Sequence, residues 1–213
     1  MDKMININPA YISRTELSRA VRELQRGGVI IYPTDTIYGI GCDIRKGKAI
    51  EKIFTLKGRA ENNPALILAS TVSMVRDIFA EITPRMKALM HEFWPGPLTI
   101  VARSERPLHS YLRSRDGMVG IRIPASRFCL RLINEVGTPI VSTSVNRSGT
   151  PPLLHIDEIQ NEFQSFVDLI VNVGELKPSL TSSVLRVDGE RITILREGAI
   201  SRKRFARFLT EIA

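Results

Sequence analysis

Apolar residues recur along this chain in two spacings, one typical of amphipathic helices and the other of short buried strands. Near the start, Leu17, Val21 and Leu24 fall on one face of a helix that ends at a pair of glycines. Ser13 and Glu16 stand at the spacing of a capping box, in which each side chain bonds the backbone N–H of the other. This segment therefore predicts a capped helix.

The same two spacings alternate through the rest of the sequence. Helical spacing continues in segments 49–56, 72–79, 84–92 and 128–136, and a last helix is predicted from Ser201. Strands are predicted at 29–32, 65–68, 98–101, 119–123, 139–141, 166–171, 183–187 and 192–195. Intermingled helices and buried strands are typical of an α/β sheet with helices on its faces. Because no linker-like segment interrupts them, residues 1–213 are predicted to form a single domain.

Two polar stretches follow predicted strands. Residues 142–152 begin with hydroxyl side chains and end in Gly-Thr-Pro-Pro, which suits either a ligand-binding loop or a polar surface turn. Residues 32–41 place threonines, Asp35 and two glycines after the first buried strand. Asp35 is interpreted as a metal or amine ligand, or as the residue of an Asx turn. Gly39 and Gly41 lack the third glycine of a dinucleotide-binding fingerprint.

Charge and composition narrow the possible partners and compartment. Lys and Arg outnumber Asp and Glu by 30 to 22, which gives a net charge of +8 and indicates an acidic partner such as a nucleotide phosphate or RNA. Cys42 and Cys129 are the only cysteines and are interpreted as buried thiols in a reducing compartment. No run approaches the about 20 apolar residues that span a bilayer. We therefore expect a cytoplasmic protein.

Several basic residues could bind an anion. Lys57-Gly58-Arg59 is either a phosphate clamp or a pair of cations that complement the dipole at a helix C-terminus. Arg122 and Arg196 lie in or at the ends of apolar strands, where an unpaired charge is costly. Each is therefore expected to have an anionic partner, either an internal carboxylate or one on a bound ligand.

Other types of chemistry receive no support from the residue patterns. His91, His109 and His155 are scattered without the spacing of a metal site, so no protein-bound metal is predicted. No Ser-His-Asp or Cys-His set is recognisable, which argues against covalent catalysis. Trp94, the only tryptophan, is expected to pack in the core.

Taken together in chain order, five segments resemble the YrdC/TsaC-like threonylcarbamoyl-AMP synthases. The resemblance continues to the segment 196–200 and so covers nearly the whole chain. Any one of these motifs is weak, whereas the ordered set is specific. The motifs are Tyr32-Pro33-Thr34-Asp35-Thr36-Ile37-Tyr38-Gly39, Lys57-Gly58-Arg59, Trp94-Pro95-Gly96-Pro97-Leu98-Thr99, Arg122-Ile123-Pro124 and Ser142-Thr143-Ser144-Val145-Asn146-Arg147-Ser148-Gly149.

The resemblance implies an enzyme that condenses L-threonine, bicarbonate and ATP, accompanied by Mg²⁺, into threonylcarbamoyl-AMP and pyrophosphate. The product would serve the N6-threonylcarbamoyl modification of tRNA adenosine 37 through a downstream transfer complex. Direct binding of tRNA is expected to be weak or indirect. The implied fold is a twisted open mixed sheet flanked by helices around a large basic cavity.

The resemblance also assigns site residues. The family's catalytic Lys-x-Arg and Ser-x-Asn tetrad falls on Lys57, Arg59, Ser144 and Asn146. Threonine contacts fall on Thr36, Arg122, Ser142 and Ser182. Nucleotide contacts fall on Arg59, Asn63, Ser144, Pro152 and Arg196.

Two positions depart from the family pattern, and two other functions stay open. Leu68 replaces a histidine that is common at the threonine site, and Met118 replaces a threonine before the Arg-x-Pro strand. The first alternative is a non-catalytic RNA-binding module, although aromatic residues make up only 6% of the chain. The second is a carbamoyl-transfer enzyme of the kind found in hydrogenase maturation factors.

Overall fold

The structure is a computed structural model that describes residues 3–60, 63–176 and 179–209. The strands, in chain order, are β1 (Met4–Asn6), β2 (Ile30–Pro33), β3 (Tyr38–Asp43), β4 (Leu66–Leu68), β5 (Leu98–Arg103), β6 (Met118–Arg122), β7 (Ile140–Ser144), β8 (Leu169–Asn172), β9 (Ser183–Asp188) and β10 (Arg191–Arg196). The helices are α1 (Arg14–Gln25), α2 (Gly47–Lys57), α3 (Val72–Arg76), α4 (Pro84–Phe93), α5 (Arg127–Val136), α6 (Ile156–Phe163) and α7 (Arg202–Phe205). Short 3₁₀ turns occupy Ser110–Leu112 and Ala206–Phe208.

All ten strands belong to one open sheet in the order β1-β8-β2-β3-β7-β4-β6-β5-β9-β10. Parallel and antiparallel pairs are mixed: β2 pairs with β8 in parallel and with β3 antiparallel. The strand order departs widely from the chain order, so each half of the sequence contributes to the centre of the sheet. The predicted α/β class with a mixed sheet is confirmed.

Three clusters of apolar side chains cover the two faces of the sheet. On the back face, α2 and α6 pack against β2, β3, β7 and β8, while α4 and α7 pack against β4, β5, β6 and β9. On the front face, α1 and α5 pack together over β2 and β8 and reach Leu68 of β4. These helices do not cover the front side of β6, β5 and β9, and the side chains of those strands line a cavity there.

Local sequence signals explain where several helices begin and end. The capping box of α1 is present: the Ser13 hydroxyl accepts from Glu16 N, and the Glu16 carboxylate accepts from Ser13 N at 3.0 Å. Helix α2 ends at Gly58, whose φ of 60° lies in the left-handed region that glycine adopts without strain. Both helices match the sequence prediction.

Other elements differ from the prediction. Strand β7 runs through Ser144, so the first three residues of the predicted polar loop belong to the sheet. Strand β3 occupies a segment that the sequence predicts to be part of a loop. The loop prediction is wrong there because two glycines lower the intrinsic strand preference of a segment that does form a strand. Strand β1 and helix α6 were not predicted, and the last helix is only 4 residues long.

Two expectations about buried residues are confirmed. Cys42 and Cys129 are free buried thiols, and burial raises the pKa of Cys129 to about 12. Trp94 packs in the back-face core, and its indole N–H donates to the carbonyl of Leu98 at 2.7 Å. Across the described ranges, no helix combines the length and apolar character needed to cross a membrane.

Ile121 offers a test of the back-face core, because its side chain is fully buried on the central strand β6. We expect Ile121→Ala to lower the free energy of unfolding by about 2–5 kcal/mol, since it removes apolar contacts and leaves a void. Val72→Ala is the control: Val72 is 38% exposed, so a change of less than about 0.5 kcal/mol is expected. Urea denaturation measures both, and equal losses in the two variants would contradict this account of the core.

Candidate active site

A cavity of about 390 Å³ lies on the front face of the sheet, beside the layer formed by α1 and α5. Its floor comes from alternate residues of neighbouring strands, as strand geometry requires. Leu66, Gly120, Val101 and Arg186 form one such row across β4, β6, β5 and β9. Gly120 carries no side chain, which keeps the middle of the floor flat.

The cavity brings together most of the residues predicted for the site. The predicted residues that line it are Thr36, Arg59, Asn63, Arg122, Ser142, Ser144, Ser182 and Arg196. Leu68 and Met118, the two departures from the family pattern, also line it and supply apolar wall. Lys57, Asn146 and Pro152 are outside the lining; the first two lie directly behind Ser144.

Arg122 is held at one end of the cavity by three groups. Its Nη2 atom lies 2.5 Å from Asp35 Oδ1 in a buried ion pair, and neither atom has a hydrogen bond of good geometry with another described residue. Its Nε donates to the Gly96 carbonyl at 2.9 Å, and its Nη1 to the Thr36 hydroxyl at 3.2 Å. The anionic partner expected for Arg122 is therefore Asp35. The turn around Asp35 is closed by the hydroxyl of Thr34, which accepts from the N–H of Ile37.

Arg59 and Arg196 face the cavity without such a partner. Arg59 donates to the carbonyl oxygens of Asn63 and Pro64 and to the Thr143 hydroxyl. Arg196 donates to the carbonyl of Ser182 at 2.8 Å. Within the described parts of the chain, no ion pair with a carboxylate is found for either guanidinium.

The cavity arginines also lower one another's affinity for protons. Desolvation lowers the pKa of Arg59, and the charge of Arg196 lowers it further. Desolvation likewise lowers the pKa of Arg196, followed by the charge of Arg122. Arg196, taken as a whole residue, is exposed, so solvent still screens part of its guanidinium charge. An anion bound among these guanidinium groups would relieve their mutual repulsion.

Lys57 lies beneath the segment that contains Ser144 and Asn146. Its Nζ donates to the carbonyl oxygens of both residues, at 2.5 and 2.7 Å, and to Asn146 Oδ1 at 2.8 Å. Desolvation and then the charge of Arg59 lower its pKa to about 7. Three acceptors match the three N–H bonds of an ammonium, so this geometry fits the charged form. Lys57 is therefore placed to hold the segment, with its charge just behind the cavity wall.

Hydroxyl groups line much of the remaining wall. The Ser144 hydroxyl donates to Asn146 Oδ1 at 2.5 Å, and Asn146 Nδ2 donates to the Thr150 carbonyl. On the opposite side, Ser182 and Thr99 share a hydrogen bond of 2.9 Å between their hydroxyls. These bonds fix the side chains in place, which is the arrangement that a specific polar ligand requires.

Sequence reasoning missed one polar cluster at the far end of the cavity. Asp116 accepts from the Ser114 hydroxyl at 2.5 Å and pairs with Arg186 at 2.8 Å. All three residues line the cavity. Ser114 lies in a basic triplet, residues 113–115, of a kind expected by chance in a chain this basic, and Arg186 lies on a strand distant in sequence. The sequence signal that could have found this cluster is one acidic residue, Asp116, directly after the triplet.

The described residues contain no group of three or more His, Cys, Asp or Glu side chains that could hold a metal ion. Asp116, which lines the cavity, and Asp35, which adjoins the lining residue Thr36, are each engaged by an arginine. Among the described lining residues, four arginines stand against one carboxylate, that of Asp116, and this excess of positive charge suits an anionic ligand.

Comparison with known proteins places this arrangement in a family. The model for Sua5, YciO and YrdC proteins, described as telomere recombination, matches residues 22–198. The chain belongs to the Sua5/YciO/YrdC family. The match includes every residue assigned to the site, so these residues lie within the region that the family shares with this chain.

Several Sua5/YciO/YrdC proteins are similar over most of this chain. Threonylcarbamoyl-AMP synthase of Bacillus subtilis is 30% identical over 88% of the chain and 55% of its own length. A putative threonylcarbamoyl-AMP synthase of Methanocaldococcus jannaschii is 31% identical over 87% of both. A crystal structure of P. abyssi Sua5 complexed with L-threonine superposes with a TM-score of 0.91, at 27% identity, over 98% of this chain and 61% of that one. The chain thus spans little more than half the length of some relatives.

The Arg122–Asp35 pair provides a test of the site's internal electrostatics. We expect Arg122→Met to lower the free energy of unfolding by about 3–5 kcal/mol, because it leaves a buried carboxylate without its partner. The double variant Asp35→Asn/Arg122→Met should recover most of that loss, since it removes both charges. Urea denaturation measures both variants. A double variant as unstable as the single one would show that the pair is not the dominant interaction of Arg122.

Proposed function

We propose that this chain condenses L-threonine, bicarbonate and ATP into threonylcarbamoyl-AMP, with release of pyrophosphate. The names of the relatives from B. subtilis and M. jannaschii support this reaction. The structural likeness to P. abyssi Sua5 in its complex with L-threonine supports the amino acid. ATP would supply the adenylyl group, and the Mg²⁺ that accompanies it would offset part of the phosphate charge.

The observation that carries the proposal is the state of Arg59 and Arg196. Both face one cavity, both have lowered pKa values, and neither has a carboxylate partner among the described residues. Two guanidinium groups without a counter-charge in the described part of the chain are suited to the oxygens of a phosphate chain. The triphosphate would therefore lie between them, and Asn63 would help by holding Arg59 through its carbonyl and side-chain oxygens.

The amino acid would occupy the end of the cavity around Arg122. The carboxylate of L-threonine would compete with or extend the Arg122–Asp35 ion pair. Thr36, Ser142 and Ser182 would contact its remaining polar groups. Leu68, in the place of a polar side chain, would give only an apolar contact, so recognition would depend more on Thr36 and Arg122.

Catalysis in this proposal needs no protein nucleophile. The threonine amine would attack bicarbonate with loss of water, or carbon dioxide with loss of a proton, to form a carbamate. A carbamate oxygen would then attack the α-phosphate as the bond from that phosphorus to pyrophosphate breaks in line. The protein would contribute by positioning both partners and by stabilising the charge that develops on the phosphate oxygens. Arg59 and Arg196 would provide this stabilisation directly.

Lys57, Ser144 and Asn146 would act as one unit. Lys57 ties together the backbone carbonyls of Ser144 and Asn146, and the Ser144 hydroxyl is bonded to the Asn146 side chain. Ser144 would face the phosphate and the carbamate, while the positive charge of Lys57 would act from behind the wall. The proposal assigns no contact to Pro152, which lies outside the cavity lining.

Further partners follow from the family resemblance. We propose that residues 1–213 act as a single domain in the cytoplasm and deliver a labile product to a transfer complex that modifies tRNA. All atoms of the adenylate come from the three small substrates, so tRNA should not be needed for synthesis. The net charge of +8 would give only weak, salt-sensitive attraction to RNA.

The reaction can be tested by following pyrophosphate release. We expect release to require ATP, L-threonine and bicarbonate together, since each supplies atoms of the product. Arg59→Ala and Arg196→Ala should each lower turnover at least tenfold, which corresponds to about 1.4 kcal/mol of transition-state stabilisation.

Arg191→Ala is the matched control, because Arg191 is an exposed arginine on the same strand as Arg196 and lies outside the cavity lining. It should turn over at the wild-type rate. Release that is equally fast without bicarbonate would exclude the carbamate step. Normal turnover of both cavity variants would overturn the phosphate assignment.

A further inference from the structure

The side chain of Tyr32 crosses a neighbouring strand to reach the cavity wall. Tyr32 lies on β2, and between it and β7 runs β3. A Cβ atom on Gly41 of β3 would lie 2.9 Å from the Tyr32 hydroxyl, and one on Gly39 would lie 3.4 Å from the ring. The two glycines thus leave a shallow groove across β3 in which the ring lies. The tyrosine hydroxyl emerges beside Ser142 of β7.

The hydrogen bond at the end of this groove has a defined direction. The Tyr32 hydroxyl lies 2.7 Å from Ser142 Oγ, and Tyr32 is fully buried. Burial raises the pKa of Tyr32 well above its usual value, and the neighbouring Cys129 raises it further, so the phenol keeps its proton. Within the described residues, Ser142 is the hydrogen-bond partner found for this hydroxyl. A buried hydroxyl that did not donate would carry the cost of an unsatisfied proton, so Tyr32 donates and Ser142 accepts.

This direction determines what Ser142 can offer to a ligand. A serine hydroxyl has one proton and two lone pairs, and the bond from Tyr32 occupies one lone pair. Ser142 is only 4% exposed and lines the cavity, and no acceptor for its own proton is found among the described residues. That proton is therefore available to an acceptor atom inside the cavity.

We propose that Tyr32 is a positioning residue that fixes Ser142 as a hydrogen-bond donor to an anionic oxygen of the amino-acid substrate. The inference rests on the proposed function and adds to it a role for a tyrosine that never touches the substrate. The acceptor would be an oxygen of the carboxylate or of the carbamate, since the positive amine of the free amino acid has no lone pair to accept with. Arg122, at the same end of the cavity, would supply the charge, and Ser142 the orientation.

A double-mutant cycle tests this role in the chain of residues 1–213. Tyr32→Phe should raise the KM for L-threonine about fivefold, the effect of losing one buried hydrogen bond, and leave the KM for ATP within about twofold. Ser142→Ala should raise the KM for L-threonine about tenfold. In the Ser142→Ala background, Tyr32→Phe should have no further effect, because Tyr32 acts through Ser142.

Tyr38→Phe is the matched control for the cycle. Tyr38 is also fully buried, but its hydroxyl donates to the Gly174 carbonyl at 2.7 Å, away from Ser142. Its effect on the KM for L-threonine should therefore add to that of Ser142→Ala. Additive effects of Tyr32→Phe and Ser142→Ala, or an equal rise in both KM values, would overturn the proposal.

A second variant and a second readout separate this inference from the proposed function. A Cβ on Gly39 would lie 3.1 Å from Ser142 Oγ, so Gly39→Ala should displace that hydroxyl and raise the KM for L-threonine while Tyr32 is intact. Calorimetric titration of L-threonine into wild type shows whether the amino acid binds at all. Absence of both threonine binding and pyrophosphate release in wild type would refute the proposed function. An active wild type with an additive cycle would refute only the role of Tyr32.

Discussion

A sheet face that no helix covers must carry side chains that tolerate water or a ligand, and this constraint organises the molecule. Helices α1 and α5 cover the front of the sheet only as far as Leu68 of β4. Beyond them, the strands place hydroxyls, arginines and a glycine at the positions that would otherwise be apolar core. The back face of the same strands is mainly apolar, with Ile100, Ile121 and Leu185 all buried. The alternation of side chains along each strand thus supports the core on one side and builds the cavity on the other.

The charge of the cavity follows from an imbalance between arginines and carboxylates. Arg122 and Arg186 have partners in Asp35 and Asp116, whereas Arg59 and Arg196 contact only neutral oxygens among the described residues. The paired arginines are positioned by the fold itself, and the unpaired ones keep their charge available to a ligand. Guanidinium charges without a carboxylate partner lower the stability of the protein without ligand, and a bound anion raises that stability again. This charge distribution therefore favours an anionic ligand for physical reasons that are independent of any relative.

The sequence predicted elements whose signals are local. The capping box of α1 and the glycine that ends α2 are read from adjacent residues, and both are present. Helix α6 was missed although Ile156, Ile159 and Phe163 stand at helical spacing, because the segment is short and acidic. Strand β3 was missed for a tertiary reason: Gly39 and Gly41 disfavour a strand locally, and they make room for a ring that comes from another strand. The strand order could not be predicted, since it depends on contacts between distant segments.

For the site, too, local sequence signals were predictive and contacts between distant segments were not. Motif matching identified residues that line the cavity, such as Arg59, Arg122 and Ser144, because their spacing is carried by the sequence. It could not show that Asp35 neutralises Arg122 or that Lys57 lies behind the wall, since both depend on how distant segments pack. A crystal structure with L-threonine and a non-hydrolysable ATP analogue tests the roles of Arg59, Arg196 and Arg122 most directly. We expect phosphate oxygens within hydrogen-bond distance of Arg59 and Arg196, and the amino acid beside Arg122. A triphosphate bound outside this cavity, or bound without contact to either unpaired arginine, would contradict this expectation.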